Sequence, residues 1–323
     1  MILAGDIGGT NTRLAFFTAE GERLRPFIEE TFSSRTYVNL ETLVRSFVAV
    51  HHLPIEQACF GVAGPVKHGR CKATNLAWVV DAQQLAHELH LETVGLLNDL
   101  EATAYGLAVL APEDVVALND GAAQASGNMA IIAAGTGLGE AGLHWDGRQH
   151  HPFASEGGHT GFAPSNALQI ELLRYLLQEL THVSWERVLS GPGLYHIYRF
   201  LRDTGRGEEP AWLGEEMRQG DPAAVISQAA LAGSSALCGQ ALHLFVSLYG
   251  AEAGNLALKL MATGGVFVGG GIAPKILAKL LDSTFMKAFA AKGRMQPLLQ
   301  DIPVRVILND KTALLGAARF ATL

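Results

Sequence analysis

An apolar strand, a glycine–threonine turn and a second strand occur twice in this chain, and the repetition limits the possible architecture more than any other feature. In the first copy Ile2-Leu3-Ala4-Gly5-Asp6-Ile7 runs into Gly8-Gly9-Thr10-Asn11 and leaves along Arg13-Leu14-Ala15-Phe16-Phe17. In the second, Asn128-Met129-Ala130-Ile131-Ile132-Ala133-Ala134 runs into Gly135-Thr136-Gly137-Leu138-Gly139 and leaves along Ala141-Gly142-Leu143-His144-Trp145. Glycines let the backbone fold back tightly and aim its N–H groups at one spot, and no Cβ blocks a phosphate from approaching. A carboxylate at the end of the first strand, Asp6, suits the magnesium that accompanies a nucleotide's phosphates, held through water. The same pattern also makes an ordinary Gly-Gly hairpin. Neither copy is a Walker loop, because no Gly-Lys-Ser/Thr follows and no helix is opened. Neither fits the dinucleotide fingerprint, whose third glycine would fall at Glu140. Two such hairpins, roughly 130 residues apart, point to a duplicated fold with one phosphate-gripping turn from each half.

The length of 323 residues suits two domains or one duplicated domain. A hydrophobic share of 49% with only 17% charged residues indicates well-buried elements. The formal charge of −7 and the lack of a Lys/Arg cluster argue against a nucleic-acid partner. No apolar run reaches the ~18 residues of a membrane span, and the sequence enters its first strand at Ile2, so we expect neither a membrane anchor nor a signal peptide nor a DNA-binding domain ahead of it. The most apolar region, Leu231 to Ile272, still carries Gln240, His243, Glu252, Asn255 and Lys259 and reads as buried helices. Three scattered cysteines, Cys59, Cys71 and Cys238, fit a reducing cytoplasm and exclude a cysteine-rich zinc site. The twelve histidines show no His-Glu-x-x-His spacing.

Strand-like and helix-like runs alternate, the mark of an α/β fold. We expect strands at 2–6, 12–17, 26–32, 57–62, 71–74 and 93–97, and helices at 39–51, 81–89 and 100–110. The loosened stretch 111–127 reads as a hinge or domain boundary, and a second α/β unit begins near 128. The polar segment 201–222 reads as a solvated excursion. The last strand, 304–308, and a helix at 312–321 are expected to return to the first domain, giving a small domain of 1–110 plus 301–323 and a large one of 111–300.

Three further stretches carry possible chemistry. Leu97-Asn98-Asp99-Leu100-Glu101 is a strand end entering a helix, where Asn98 and Glu101 make a capping box. Asp99 also lies at the positive end of the helix dipole, which keeps it ionised and able to accept a proton from an attacking sugar hydroxyl. Ser155-Glu156-Gly157-Gly158-His159-Thr160-Gly161 puts a carboxylate and an imidazole in one glycine-flanked loop, either a surface turn or a polyol-recognition loop. Glu186, ahead of Arg187-Val188-Leu189-Ser190-Gly191-Pro192-Gly193, reads on its own as a first-turn helix charge. Gly264-Gly265-Val266-Phe267-Val268-Gly269-Gly270-Gly271 ends a strand in glycines, which suits either tight helix–strand packing or a flat adenine laid against backbone.

Taken together, Gly-Asp-x-Gly-Gly-Thr-Asn, Leu-Asn-Asp, Gly-Thr-Gly-Leu-Gly, Glu-Gly-Gly-His, Glu-Arg-Val-Leu-Ser-Gly-Pro-Gly-Leu and Gly-Gly-Val-Phe-Val-Gly-Gly-Gly-Ile resemble bacterial glucokinase, in the branch without the cysteine-rich zinc motif of ROK-family kinases. The resemblance implies an actin-like ATPase (ribonuclease H-like) fold, two duplicated α/β lobes around a central cleft. It implies ATP:D-glucose 6-phosphotransferase activity with Mg2+, no structural zinc, and commonly a cytoplasmic homodimer. By motif position, Asp99 would be the base, and Asn98, Glu156, His159 and Glu186 would hold the other sugar hydroxyls. Gly5, Gly8, Gly9, Thr10 and Asn11, with Gly135, Thr136 and Gly137, would flank the phosphates, Gly270 and Gly271 the nucleoside, and Asp6 the magnesium. Gly161 departs from the pattern, since many relatives have Asp there. The donor (ATP, ADP or polyphosphate) and the breadth of hexose acceptors stay open. A kinase for another hexose, a sugar-responsive regulator and a filament or chaperone ATPase are the rival readings.

Overall fold

A computed structural model describes residues 1–21, 23–74 and 76–323. The chain divides into two compact units: residues 1–114, 152–154 and 309–323 form the first, and 115–151 with 155–308 the second.

In the first unit, β1 (Ile2–Ile7) is apolar on both faces and buried on both, as a central strand must be. It turns into β2 (Asn11–Glu20), which pairs with it antiparallel, and then β3 (Arg23–Ser33). The Asn39 side chain accepts from Thr42 N (2.9 Å) to open α1 (Leu40–His51), whose Leu40, Leu43, Val44 and Phe47 recur at helical spacing and are buried. The ring of Phe47 stacks on Phe16 of β2 with centroids 5.1 Å apart. Then come β4 (Gln57–Val62), a small antiparallel sheet of β5 (Val66–Lys67), β6 (Arg70–Lys72) and β7 (Val79–Asp81), and α2 (Ala82–Leu89), capped by Asp81. Finally β8 (Gly95–Asn98) runs directly into α3 (Asp99–Gly106). The sheet order is β3-β2-β1-β4-β8, with β1, β4 and β8 parallel.

The second unit repeats this plan. After β9 (Val115–Asn119), β10 (Met129–Ala134) turns into antiparallel β11 (Leu138–Trp145), followed by β12 (His150–Ser155), whose residues 152–154 group with the first unit. The helices are α4 (Ala167–Leu176), α5 (Gly191–Asp203), α6 (Ala211–Gln219), α7 (Pro222–Leu231) and α8 (Ala236–Leu260). Next come β13 (Gly265–Gly269), α9 (Leu277–Leu280), α10 (Ser283–Ala290), α11 (Gln296–Gln300) and β14 (Val304–Ile307). The order β12-β11-β10-β13-β14-β9 matches the first sheet strand for strand with β9 added at the edge, and β10, β13 and β14 are again parallel. The duplication anticipated from the two turns is present in the topology. The chain ends in α12 (Thr312–Phe320), which packs on α3, β1 and β4 of the first unit.

Two expectations are corrected. The strand at 304–307 does not return to the first sheet: it pairs parallel with β13 and antiparallel with β9, and only the following helix joins the first unit. The polar segment 201–222 is not simply a solvated excursion. It holds α6, which buries Leu213 completely and packs on α7, because one apolar residue per turn suffices to dock a short helix. Among the described residues no single helix is long and apolar enough to cross a membrane; α8 is instead lined with buried side chains along its length.

Candidate active site

In the first unit the turn is closed by Gly8 N donating to Asn11 O (3.0 Å), and Ser34 Oγ donates to Gly8 O (2.8 Å) from beyond β3. A methyl on Gly8 would lie 2.9 Å from the Asn11 carbonyl, so close approach within the turn requires glycine there. Gly5 is glycine for another reason: a methyl would lie 2.4 Å from the Phe60 ring in the core. Thr10 and Asn11 are exposed at the tip.

Asp6 sits one residue before the end of β1, directly across from Arg13 of β2. Burial pushes its carboxyl up to about 6; the Arg13 guanidinium opposes that and the Asp310 carboxylate adds to it. Arg13 in turn donates to the backbone carbonyl of Asp310 (2.7 Å) and pairs with its carboxylate. Two carboxylates on hard oxygen beside one arginine fit a magnesium ion that keeps most of its waters. Among the described residues no three His, Cys, Asp or Glu side chains gather into a full metal cage, so a cation here would take its other ligands from water and substrate phosphates. Sequence reasoning missed Arg13 and Asp310. The first is found only once the hairpin register is known, and the second is 297 residues away.

Asp99 opens α3 at the carboxyl end of β8. Asn98 caps the helix, its Oδ1 accepting from Leu100 N (2.9 Å), while its Nδ2 donates to Gly64 O (3.0 Å). The Glu101 carboxyl accepts from the Asn98 backbone, the return half of the capping box, although burial raises its pKa overall. Asp99 Oδ1 also accepts from Leu100 N (3.0 Å). Burial raises the nearby Cys71 thiol, and the Asp99 charge adds to it.

In the second unit the other turn is drawn tight by Gly135 N donating to Gly137 O (2.8 Å), with Gly191 N at the start of α5 donating to Gly135 O (2.8 Å). Nothing lies within 4 Å of the position a Gly135 methyl would take, so that glycine leaves open space. Gly137 is filled from behind, because a methyl there would be 2.5 Å from Glu186 Oε2. That oxygen accepts from Leu138 N (3.1 Å) at the exit of the turn. The other oxygen of Glu186 lies 4.0 Å from His159 Nδ1, and His159 Nε2 lies 3.9 Å from Glu156 Oε2. Glu186 thus lies in the first turn of a short 3-10 helix, Trp185–Arg187, as its own residues suggest, and it also touches both the glycine–threonine turn and the Glu156–His159 loop. The side chains of Glu156 and His159 are 63% and 61% exposed, available to a ligand. Gly161 forms an antiparallel bridge with Ser184, and a side chain there would meet only His182, at 4.0 Å.

After β13, Gly270 has a left-handed φ of 83°, and a methyl would lie 2.3 Å from Ala134 O. Ile272 N donates to that same carbonyl (3.2 Å), which ties the glycine turn to the end of β10. Gly271 is exposed with nothing near its missing side chain. The structure therefore gathers Gly135, Thr136, Gly137, Glu156, His159, Glu186, Gly270 and Gly271 within the second unit, and Gly5 to Asn11, Asn98 and Asp99 within the first.

Known proteins extend the same pattern. A glucokinase from Nostoc sp. is 44% identical over 334 residues, covering 98% of each chain. The crystal structure of a glucokinase from an Antarctic psychrotroph superposes with a TM-score of 0.87 at 34% identity, over 99% of this chain and 98% of that one. A ROK-family glucokinase from Streptomyces griseus, solved with glucose and AMPPNP, shares the fold alone, with a TM-score of 0.67 and 21% identity over 99% of both chains. The duplicated sheets are those of the actin-like ATPase sugar kinases. The glucokinase family model matches residues 3–323, taking in both turns, Asp99, the Glu156–His159 loop and the glycines after β13, and this chain belongs to that family.

Proposed function

We infer that this glucokinase-family chain transfers the γ-phosphate of ATP to the 6-hydroxyl of D-glucose, giving glucose 6-phosphate and ADP. The observation that carries the reading is the double contact of Glu186. One carboxylate oxygen holds the exit of a glycine–threonine turn and the other faces His159, so one residue ties a phosphate turn to a polyol loop.

In this mechanism the Gly8–Asn11 and Gly135–Gly137 backbones hold the phosphates, and the bare surfaces of Gly270 and Gly271 take the nucleoside. Asn98, Glu156, His159 and Glu186 accept from or donate to the sugar hydroxyls and fix the 6-oxygen in line with phosphorus. As that oxygen forms its bond to the γ-phosphorus, its proton passes to Asp99 and the bond to the ADP oxygen breaks. Such a transfer asks little covalent work of the protein, so alignment and charge neutralisation dominate. Asp6, with Asp310 beside it, would hold the magnesium through water, and the ion would neutralise phosphate charge. Three buried thiols, Cys59, Cys71 and Cys238, suit a reducing cytoplasm. The homodimer implied by the resemblance is read by light scattering of the purified protein.

A coupled assay crossing hexoses with ATP, ADP and polyphosphate tests the reaction, with the phosphate position of the product identified by NMR. ATP turnover independent of any sugar would overturn it. Glu156→Ala is expected to raise the KM for glucose at least about 10-fold while the KM for ATP stays within about 2-fold, because an unpaired hydroxyl is a sugar-side loss. Equal changes in both would remove Glu156 from sugar binding. Asp6→Ala is expected to raise the Mg2+ concentration needed for half-maximal turnover, read by titrating the metal into chelator-stripped enzyme. An unchanged midpoint would dismiss the assignment.

A further inference from the structure

Glu140 takes no part in the mechanism above, yet it is a carboxylate in the core, 1% exposed, and its Oε1 has no hydrogen-bond partner among the described residues. It lies on β11 two residues beyond Leu138, so the two point to the same face of the strand. Both meet the loop that carries Glu156 and His159. A methyl on Gly158 would be 2.1 Å from Leu138 O, and a methyl on Gly157 would be 1.9 Å from Glu140 Oε2 and 2.8 Å from its Cδ. The two glycines are therefore the places where the loop is laid directly on the strand, and the carboxyl occupies the volume where a side chain of residue 157 would go.

Hydrogen bonds tie the loop together. His159 N donates to Glu156 O (3.0 Å), Thr160 N and Oγ1 both donate to Gly157 O (2.9 and 2.7 Å), and His182 Nε2 lies 3.0 Å from His159 O. A displacement at Gly157 must carry Glu156 and His159 with it.

We propose that Glu140 is a positioning residue for the sugar loop: its carboxyl, packed under Gly157, sets the height of the Glu156–His159 turn above β11 and so sets hexose affinity without touching the sugar. This rests on the reading of Glu156 and His159 as sugar contacts. The pH behaviour follows from its surroundings. Burial pushes the Glu140 carboxyl up to about 7, the Glu252 carboxylate of α8 adding to the rise and Lys259 opposing it, with the Tyr249 hydroxyl as the third titratable group of α8 near it. Gly157, its contact on the loop, brings no charge. Below that pH the carboxyl is mostly neutral; above it, a buried anion stands under Gly157 with its Oε1 lacking a donor among the described residues, and the fit of the loop is expected to loosen there.

The test is a double-mutant cycle read as separate kcat and KM values. Gly157→Ala is expected to raise the glucose KM at least about 10-fold, since misplacing a binding group by about 1 Å can cost up to ~10². The KM for ATP should move less than about 2-fold. In the Glu140→Ala background the same Gly157→Ala change should cost at most about 2-fold, because the collision partner is gone. Glu140→Gln, of equal shape, should keep the glucose KM at pH 6.5 and make it flat to pH 8.5, where the wild-type value climbs. A Gly157→Ala penalty undiminished by Glu140→Ala, or a Glu140→Gln profile that climbs like wild type, overturns the proposal. Should Gly157→Ala fail to fold, Glu140→Ala alone decides: a glucose KM within about 2-fold of wild type overturns the proposal. Failure of the sugar-loop reading itself is separately visible, as a Glu156→Ala variant that affects ATP and glucose equally.

Discussion

Asp99→Ala is expected to lower kcat for glucose phosphorylation by at least about 10²-fold, the share a general base contributes when it takes a proton from the attacking hydroxyl. The loss should be in kcat more than in either KM, because the proton moves only as the 6-oxygen bonds to phosphorus. Folding should survive. The N-terminus of α3 keeps its cap without Asp99, as Asn98 Oδ1 still accepts from Leu100 N at 2.9 Å and Asn98 Nδ2 still reaches Gly64 O. Removing the carboxylate takes away an Asp99 Oδ1 contact to an N–H that has a second acceptor. Steady-state kinetics at saturating ATP and glucose, beside a thermal melt, make the measurement. A variant that keeps half the wild-type turnover would remove Asp99 from proton transfer, and a collapsed melting transition would assign the loss to folding.

Much of this site is visible in the sequence because its parts are local. A glycine–threonine turn between apolar runs is a complete statement about one hairpin, and the two hairpins at Gly8 and Gly135 have the strand pairings their patterns require. Asn98 and Glu101 announce a helix start in four residues, and α3 begins there. What the sequence does not carry is which local unit meets which. Val304–Ile307 reads as a strand from its own residues, but its neighbours β13 and β9 are chosen by the closing of the second sheet. Asp310 joins Asp6 only because α12 returns to β1. The role of Glu186 as a strut under Gly137 needs a contact over 49 positions, so its residues alone suggested an ordinary first-turn charge. Glu140 is hidden for a related reason: at an alternating strand position a glutamate reads as solvent-facing, and its burial comes from distant parts of the chain, the loop at Gly157 and the nearby α8. The sequence shows that loop only as rich in glycine, and the structure gives the reason at two of them: Gly157 admits the Glu140 carboxyl and Gly158 admits Leu138 O.

Gly316→Ala is expected to be the most damaging single methyl added anywhere in the first unit. In α12 a methyl at 316 would lie 1.7 Å from Ala102 O and 2.5 Å from Gly106 N, both backbone atoms of α3. The close approach is reciprocal, since a methyl on Gly106 would be 2.1 Å from Thr312 O. Side chains yield by changing rotamer, but a helix backbone yields only by moving as a rod, so relief requires α3 and α12 to separate. Separation opens the buried cluster of Ala102, Leu314, Ala317 and Ala318 with Ile2, Ala4 and Leu97. The cost of such overpacking is about 1–3 kcal/mol or more, against a gain of at most ~1 kcal/mol from replacing a helical glycine by alanine. Urea unfolding should show a lowered midpoint. Because α3 begins with Asp99, turnover of the folded fraction should fall as well, with kcat reduced more than the KM for ATP. Gly239→Ala is the internal comparison: it too lies within a helix, α8, but nothing stands within 4 Å of its missing methyl, so the helix-propensity gain is unopposed and the midpoint should rise. If Gly316→Ala and Gly239→Ala shift the midpoint in the same direction, the α3–α12 approach is looser than the packing described here, and the backbone contact is not what fixes α3 in place.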